Sequence, residues 1–213
     1  MSSLLIIGAG GHGRVLADVA MCTQRWSRLA FADDRGAALG EPLGLEVVGT
    51  CADLERLAAQ FDALAVGIGN AVARLRFLKQ IEALGYPLPV IVHPTAYVSS
   101  FARLGAGTVV FPQAVVNAGA VLGAGCIVNT GATVDHDCQL ADAVHVCPGA
   151  HLAGDVQVGL RCWIGIGACV REGMCIGDDV CVGAGGAVVT HLASGVTVVG
   201  VPARQRVPRS VDR

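Results

Sequence analysis

The sequence predicts two units in series, a small α/β domain of βαβαβ type over residues 1–92 and a parallel β-helix over residues 93–213. Two observations carry this. Beginning at Val92, every sixth residue is aliphatic, through Val98, Leu104 and Val110 and onward to Val182 and Val188, seventeen consecutive positions. An α-helix repeats near 3.6 residues and a strand every 2, so a strict period of six fits neither. It fits a solenoid in which each hexad supplies one short strand and one turn. The second observation is Gly8-Ala-Gly-Gly-His-Gly13, a GxGxxG stretch standing between an apolar run and a helical pattern, the context that a nucleotide-binding glycine loop requires.

In the first unit, Leu4-Leu-Ile-Ile7 reads as a strand and Arg14–Met21 as a helix with Val15, Leu16, Val19 and Ala20 on one side. Leu29-Ala-Phe-Ala32 reads as a second strand, ending at Asp33-Asp34, about 20 residues beyond the glycines, where an acidic residue can accept hydrogen bonds from a ribose. Helix signals at 51–60, a strand over Ala63–Ile68 ending at Gly69-Asn70, a helix over 71–84 and a strand near Pro89–Val92 complete the unit. Glycines let backbone N–H groups approach a phosphate, helped by the positive end of the helix. A unit this short is one half of a doubly wound sheet, enough for one nucleotide rather than two. A glycine turn needed only for tight packing is the alternative.

In the second unit, three hexads make one triangular coil, so residues 18 apart stack and about five coils are present. Small residues recur two places before the aliphatic positions, as at Ala102, Ala114 and Ala120, and Cys126, Cys138 and Cys162 fall in the same register. Cys169, Cys175 and Cys181 also follow the period of six and fall on successive walls. The nine cysteines therefore read as reduced structural residues of a cytoplasmic protein. The stretch Asn129-Thr-Gly-Ala-Thr-Val-Asp-His-Asp-Cys138 interrupts the bland pattern. It sets His136 on a turn between two carboxylates, Asp135 and Asp137, the parts of a general base. A solvated turn histidine is the alternative. His136, His145 and His151 lie nine and six residues apart, at different points around the coil, which argues against a metal site. His136 and His145 are half a coil apart, so they meet more easily between chains than within one. This favours a site shared between subunits of a cyclic oligomer, a homotrimer.

A net charge of −2 and an isoelectric point near 6.3 exclude a basic nucleic-acid footprint. Mean hydropathy is high at +0.59, yet it comes from Ala, Val and Gly, with no unbroken apolar run of the length of a membrane span. The start of the chain lacks a basic stretch and reads as a first strand rather than a signal peptide.

The residues so far, with Ala32-Asp33-Asp34, Gly67-Ile-Gly-Asn70, His93-Pro94, Trp163-Ile-Gly-Ile-Gly167 and Val199-Gly-Val-Pro-Ala-Arg204, resemble bacterial left-handed β-helix acyltransferases with a Rossmann-like nucleotide-sugar domain, the PglD/NeuD-like group, over nearly the whole chain. The resemblance implies an acetyl-CoA-dependent N-acetyltransferase acting on a UDP- or GDP-linked amino sugar in surface-glycan biosynthesis, without a metal. It implies His136 as catalytic base and Asp137 as the acid that increases its basicity, with Asp135 a competing partner. It implies that His145 contacts acetyl-CoA near the thioester, that the backbone N–H of Gly154 faces the thioester carbonyl, and that Ile166 and Ala184 line the pantetheine channel. Gly10, Gly11, His12, Asp33, Asp34, Gly69 and Asn70 match the nucleotide-sugar pocket. One departure is Leu140-Ala141-Asp142, where relatives usually carry Gly at the second position, which bears on the local turn. The rival activities are O-acetylation of a sugar hydroxyl, as in the sialic acid group, an NAD-dependent oxidoreductase, and a solenoid scaffold without catalysis.

Overall fold

The computed structural model describes residues 2–206 and contains both units. In the first, β1 (Ser2–Ile7), α1 (Gly11–Cys22), β2 (Trp26–Ala32), β3 (Val47–Gly49), α2 (Leu54–Ala58), β4 (Ala63–Val66) and α3 (Ala71–Ala83) follow one another. The strands form one parallel sheet in the order β3-β2-β1-β4. β1 and β4 are buried on both faces, as a parallel sheet with helices on each side requires. The buried face of α1 is Gly13, Leu16, Ala17, Val19 and Ala20, whereas Val15 is 42% exposed, so the stripe is turned from the expected one. Gly13 explains its own identity. A Cβ there would collide with the carbonyl of Gly8, so the third glycine of the motif lets α1 cross tightly over the loop after β1.

One expected element changes place. The strand near Pro89–Val92 does not complete this sheet. Its ordered part, Ile91–Val92, pairs with Val109–Val110 and is the first rung of the β-helix. The fourth strand of the nucleotide-type sheet is instead β3, which follows β2 after a loop. A run of apolar residues reveals a strand but not which sheet it joins.

The β-helix has three parallel walls. The first carries Ile91–Val92, Val109–Val110, Ile127–Val128, His145–Val146, Trp163–Ile164 and Cys181–Val182; the second runs from Tyr97–Val98 through Thr133–Val134 to Ala187–Val188; the third runs from Arg103–Leu104 through Gln139–Leu140 to Cys175–Ile176. The second residue of each strand points inward, and together with the small residues two places before it builds one continuous core. Cys126, Cys138 and Cys162 are fully buried in that core, and their thiols donate to the carbonyls of Ala141, Ala153 and Gly177 in the turns of the next coil. Cys169, Cys175 and Cys181 fall on the second, third and first walls.

Each turn closes with a residue in the left-handed region three places after the inward aliphatic, from Gly107 to Gly185. At Gln113, Asp137, Ala143, Asp155, Arg161 and Asp179 that residue is not glycine. Pro112 shows the chemistry, since it fixes the first central position of a type II turn whose Ala114 N–H bonds back to Phe111 at 3.2 Å. Around Leu140-Ala141-Asp142 the turn keeps this form, with Ala143 at φ 57° and the Asp142 carboxylate accepting from Ala124 N–H at 2.7 Å. At the far end Thr197–Val199 extends the first wall and Arg204–Gln205 folds back antiparallel on it, covering part of the sheet's open edge.

The two units share a core. The outward residues Ile91, Val109 and Ile127 of the first wall pack with Leu4, Ile6, Leu16 and Val19 of the sheet and α1. A buried cation also joins them. Arg74, 1% exposed, lies on the apolar stripe of α3 with Phe77, Leu78 and Ile81. Its guanidinium donates to the carbonyls of Ile68 (3.0 Å) and Gly69 (2.7 Å) in its own unit and of Gly125 (2.8 Å) and Ala143 (2.8 Å) on the solenoid. Burial pulls its pKa down to about 10, which still leaves it charged at neutral pH.

Candidate active site

Two clusters of polar residues stand on different sides of the β-helix. The first surrounds His136, at the corner between the second and third walls. The backbone N–H of His136 donates to Asp135 Oδ1 (2.7 Å), and that same oxygen accepts from Asn117 Nδ2 (2.8 Å) one coil earlier. Asp135 is thereby committed to holding the turn. The imidazole Nδ1 instead meets Asp137 Oδ2 at 2.9 Å. Asp137 reaches it because its backbone is left-handed, φ 58°, which folds the carboxylate back toward the preceding side chain. The Asp137 hydrogen bond raises the His136 pKa above its ordinary value, and the charges of Asp135, Asp137 and Asp155 act in the same direction.

The ring lies over Gly154 on the next coil, where a Cβ would collide with Cε1 and Nε2. Gly119, one coil earlier, leaves the matching space for the Asp137 carboxylate. The ring nitrogen Nε2 has no hydrogen-bond partner among the described residues and lies beside the Gly154 backbone. The His136 side chain is 61% exposed, so a second body can cover it.

The second cluster lies on the first wall, under the N-terminal unit. His145 is 6% exposed, with Nε2 3.0 Å from the Asn129 side-chain nitrogen. Asn129 Oδ1 accepts from Thr130 N–H, which orients the amide so that its NH₂ faces the ring. That leaves the proton of neutral His145 on Nδ1, which is buried without a partner among the described residues. His12, near the start of α1, stacks between Phe111 (5.5 Å) and His145 (6.2 Å), its Nε2 likewise buried and unpaired. Trp163 covers His145 edge-on, ring centroids 4.5 Å apart, and is itself 42% exposed. Burial lowers the pKa of His145 to about 3 and that of His12 to about 4, each helped by the charge of Arg74, so both rings are neutral at pH 7.

Beside His12 opens a cleft of about 470 Å³ lined by Gly8, Gly10, Gly11, Asp33, Asp34, Arg35 and Gly69. The first turn of α1 has no acidic residue and no side-chain cap, so its N–H groups and the helix dipole favour an anion there. Arg35 extends over Gly10 at the same place. Asp33 plays another part than the expected ribose acceptor. Its two oxygens take the Ala9 N–H (2.8 Å) and the Arg35 guanidinium (2.9 and 3.0 Å), which hold its pKa well below the usual carboxylate range. Asp34 is the exposed carboxylate of the pair, held at one oxygen by Cys51 N–H. The Asn70 side chain caps α3, its Oδ1 accepting from Ala73 N–H at 2.9 Å. Ile166 and Ala184 sit one above the other at the corner between the first and second walls, Ile166 59% exposed.

Within one chain most of the expected residues thus fall into two groups. Gly10, Gly11, His12, Asp34, Gly69 and His145 come together around the N-terminal unit and first wall, whereas His136, Asp137 and Gly154 lie at the opposite corner with the core between them. Sequence reasoning gave no role to Asn117, Gly119, Asn129, Arg35 or Arg74. The offset of 18 would have paired Asn117 with Asp135; nothing local marks Arg74. Among the described residues no group of three His, Cys, Asp or Glu forms a metal site, and no helix is long and apolar enough to cross a membrane.

Comparison with known proteins bears on both units. Residues 3–81 match the PglD N-terminal domain family. GDP-perosamine N-acetyltransferase of Escherichia coli O157:H7 is 30% identical, over 97% of this chain and 98% of that protein. Among solved structures, the acetyltransferase domain of PglB from Neisseria gonorrhoeae FA1090 in complex with acetyl coenzyme A superposes with a TM-score of 0.93 at 43% identity, covering 96% of this chain and 99% of that one. A histidine-to-asparagine variant of perosamine N-acetyltransferase from Caulobacter crescentus, in complex with CoA and GDP-perosamine, gives a TM-score of 0.93 at 37% identity, over 97% and 98% of the two chains.

Proposed function

This chain belongs to the PglD/NeuD-like family of nucleotide-sugar acetyltransferases, and from that premise we propose the roles of its residues in transferring the acetyl group of acetyl-CoA to the amine of a nucleotide-linked sugar. The observation that carries the reading is the open imidazole of His136, its Nδ1 bound to Asp137 and its Nε2 free over Gly154. The sugar nitrogen attacks the thioester carbonyl, a C–N bond forms, and His136 Nε2 takes the proton the nitrogen loses. The oxyanion of the tetrahedral intermediate is held by backbone N–H, that of Gly154 being adjacent to the base. Collapse breaks the C–S bond, and the proton on His136 neutralises the departing thiolate. Cys138 is no rival nucleophile, because burial raises its thiol pKa and the sulfur points into the core.

The nucleotide binds the N-terminal cleft, its phosphates at Gly10, Gly11 and Arg35. That grip positions the sugar beneath His12 and His145. The unpaired Nδ1–H of His145 is a donor of the kind a thioester carbonyl accepts, and Ile166 and Ala184 offer the corner along which pantetheine runs. Since the core separates this cluster from His136, the site is completed when the first wall of one subunit faces the His136 corner of another. A homotrimer closes three such sites. N- rather than O-acetylation is favoured by two of the named relatives, which are perosamine N-acetyltransferases.

The test is acetyl transfer from acetyl-CoA to a panel of nucleotide amino sugars, free amino sugar and sialic acid, run across pH with the wild type and Asp137→Asn. The wild type acetylates a nucleotide amino sugar and not sialic acid. Because catalysis needs neutral His136 and Asp137 raises its pKa, kcat/KM climbs as pH rises through that raised value. Asp137→Asn removes the largest cause of the shift, so the acid limb moves to lower pH while the plateau falls. An acid limb that stays in place makes Asp135 the partner instead.

A further inference from the structure

A second cleft, about 530 Å³, continues from the glycine-loop cleft and shares Asp34, Cys51, Arg76 and Phe77 with it. A ligand whose phosphates lie at the N-terminus of α1 and whose ribose lies at Asp34 places its base there. The volume suits a bound small group. Its walls are apolar at Leu54 and Leu84; besides Asp34 and Cys51 at the mouth shared with the first cleft, its polar side chains are Glu55 from α2, and Arg76 and Gln80, one turn apart on α3. Arg76 lies against the Phe77 ring at 4.7 Å, leaving a flat guanidinium beside the cleft.

These groups discriminate among bases. Glu55 is an acceptor only and Arg76 a donor only. Guanine alone offers two adjacent donors on one edge, N1–H and the N2 amino group, and two adjacent acceptors, O6 and N7, on another, the pair that arginine reads bidentately. Uracil sets its single N3–H between two carbonyl oxygens, so a carboxylate facing it is repelled on both sides. Resting on the nucleotide-sugar reading above, we propose that this cleft selects a guanosine diphosphate sugar, with Glu55 reading the N1–H and N2 edge and Arg76 the O6 and N7 edge.

Calorimetric titration of the full chain with GDP and UDP, in the absence of acetyl-CoA, tests this. GDP binds at least tenfold more tightly than UDP, and Glu55→Gln weakens GDP about tenfold with little effect on UDP, collapsing the preference. Arg76→Met, which keeps the stem over Phe77, does the same. UDP binding as tightly as GDP, or a preference that survives both substitutions, overturns the assignment. Since no acetyl transfer is involved, a wrong base leaves the acetyltransferase reading intact. GDP binding without any acetylation would fail that reading alone.

Discussion

Replacing His136 by alanine lowers kcat/KM for acetyl transfer by about 100- to 10,000-fold, the span that a positioned general base contributes, and leaves the β-helix folded. The side chain is exposed and among the described residues bonds only to its neighbour Asp137, so the core is untouched. Steady-state kinetics and a melting curve on the same preparation check both halves. The loss falls on kcat, because the nucleotide grip at Gly10, Gly11 and Arg35 lies on the other side of the solenoid. Near-normal turnover removes His136 from the mechanism.

Arg74→Met carries the largest effect on stability. Methionine fills much of the volume but abandons four carbonyl groups that now receive charged hydrogen bonds. Each buried acceptor left without a partner costs about 1–3 kcal/mol, and partial rehydration makes the sum less than additive, so a loss of about 3–5 kcal/mol is expected. The failure is local. The N-terminal unit unfolds at lower urea while the β-helix persists, because Arg74 ties α3 to the corners at Gly125 and Ala143. Arg74→Lys recovers less than half, since one ammonium cannot serve four carbonyls spread across the arginine fork. An unchanged, single urea transition would show that the shared apolar core alone holds the units together.

How much of this was legible in the sequence follows from the range of each signal. The hexad count is local and repeated, so the walls, the inward cysteines and the turn at His136 could all be read from it. Even the separation of His136 from His145 follows from counting around the coil. The cover of the first wall by the N-terminal unit is a long-range fact, which is why His145 could be placed on a wall but not under a domain. Nothing local marks the helical position of Arg74 as buried; the carbonyls of Gly125 and Ala143, brought from the second unit, join those of Ile68 and Gly69 to make its burial tolerable. Asp33 and Asp34 are neighbours of identical chemistry. Which one faces the cleft is decided by Arg35 and the Ala9 N–H, which take Asp33 and leave Asp34 exposed. Asp137 and Asp135 divide in the same way, by backbone conformation and by Asn117.

The central claim is that one subunit supplies the nucleotide cleft and the next supplies His136. Mixing inactive subunits tests it most directly. His136→Ala chains and chains whose cleft is blocked by Gly11→Trp are each without activity alone. After co-refolding in equal amounts, about one interface in four of a cyclic oligomer pairs an intact cleft with an intact His136, and acetyl transfer returns to about a quarter of the wild-type rate. If the site lay within one chain, no mixture would hold both intact parts in the same subunit, and the mixed protein would remain as inactive as its components.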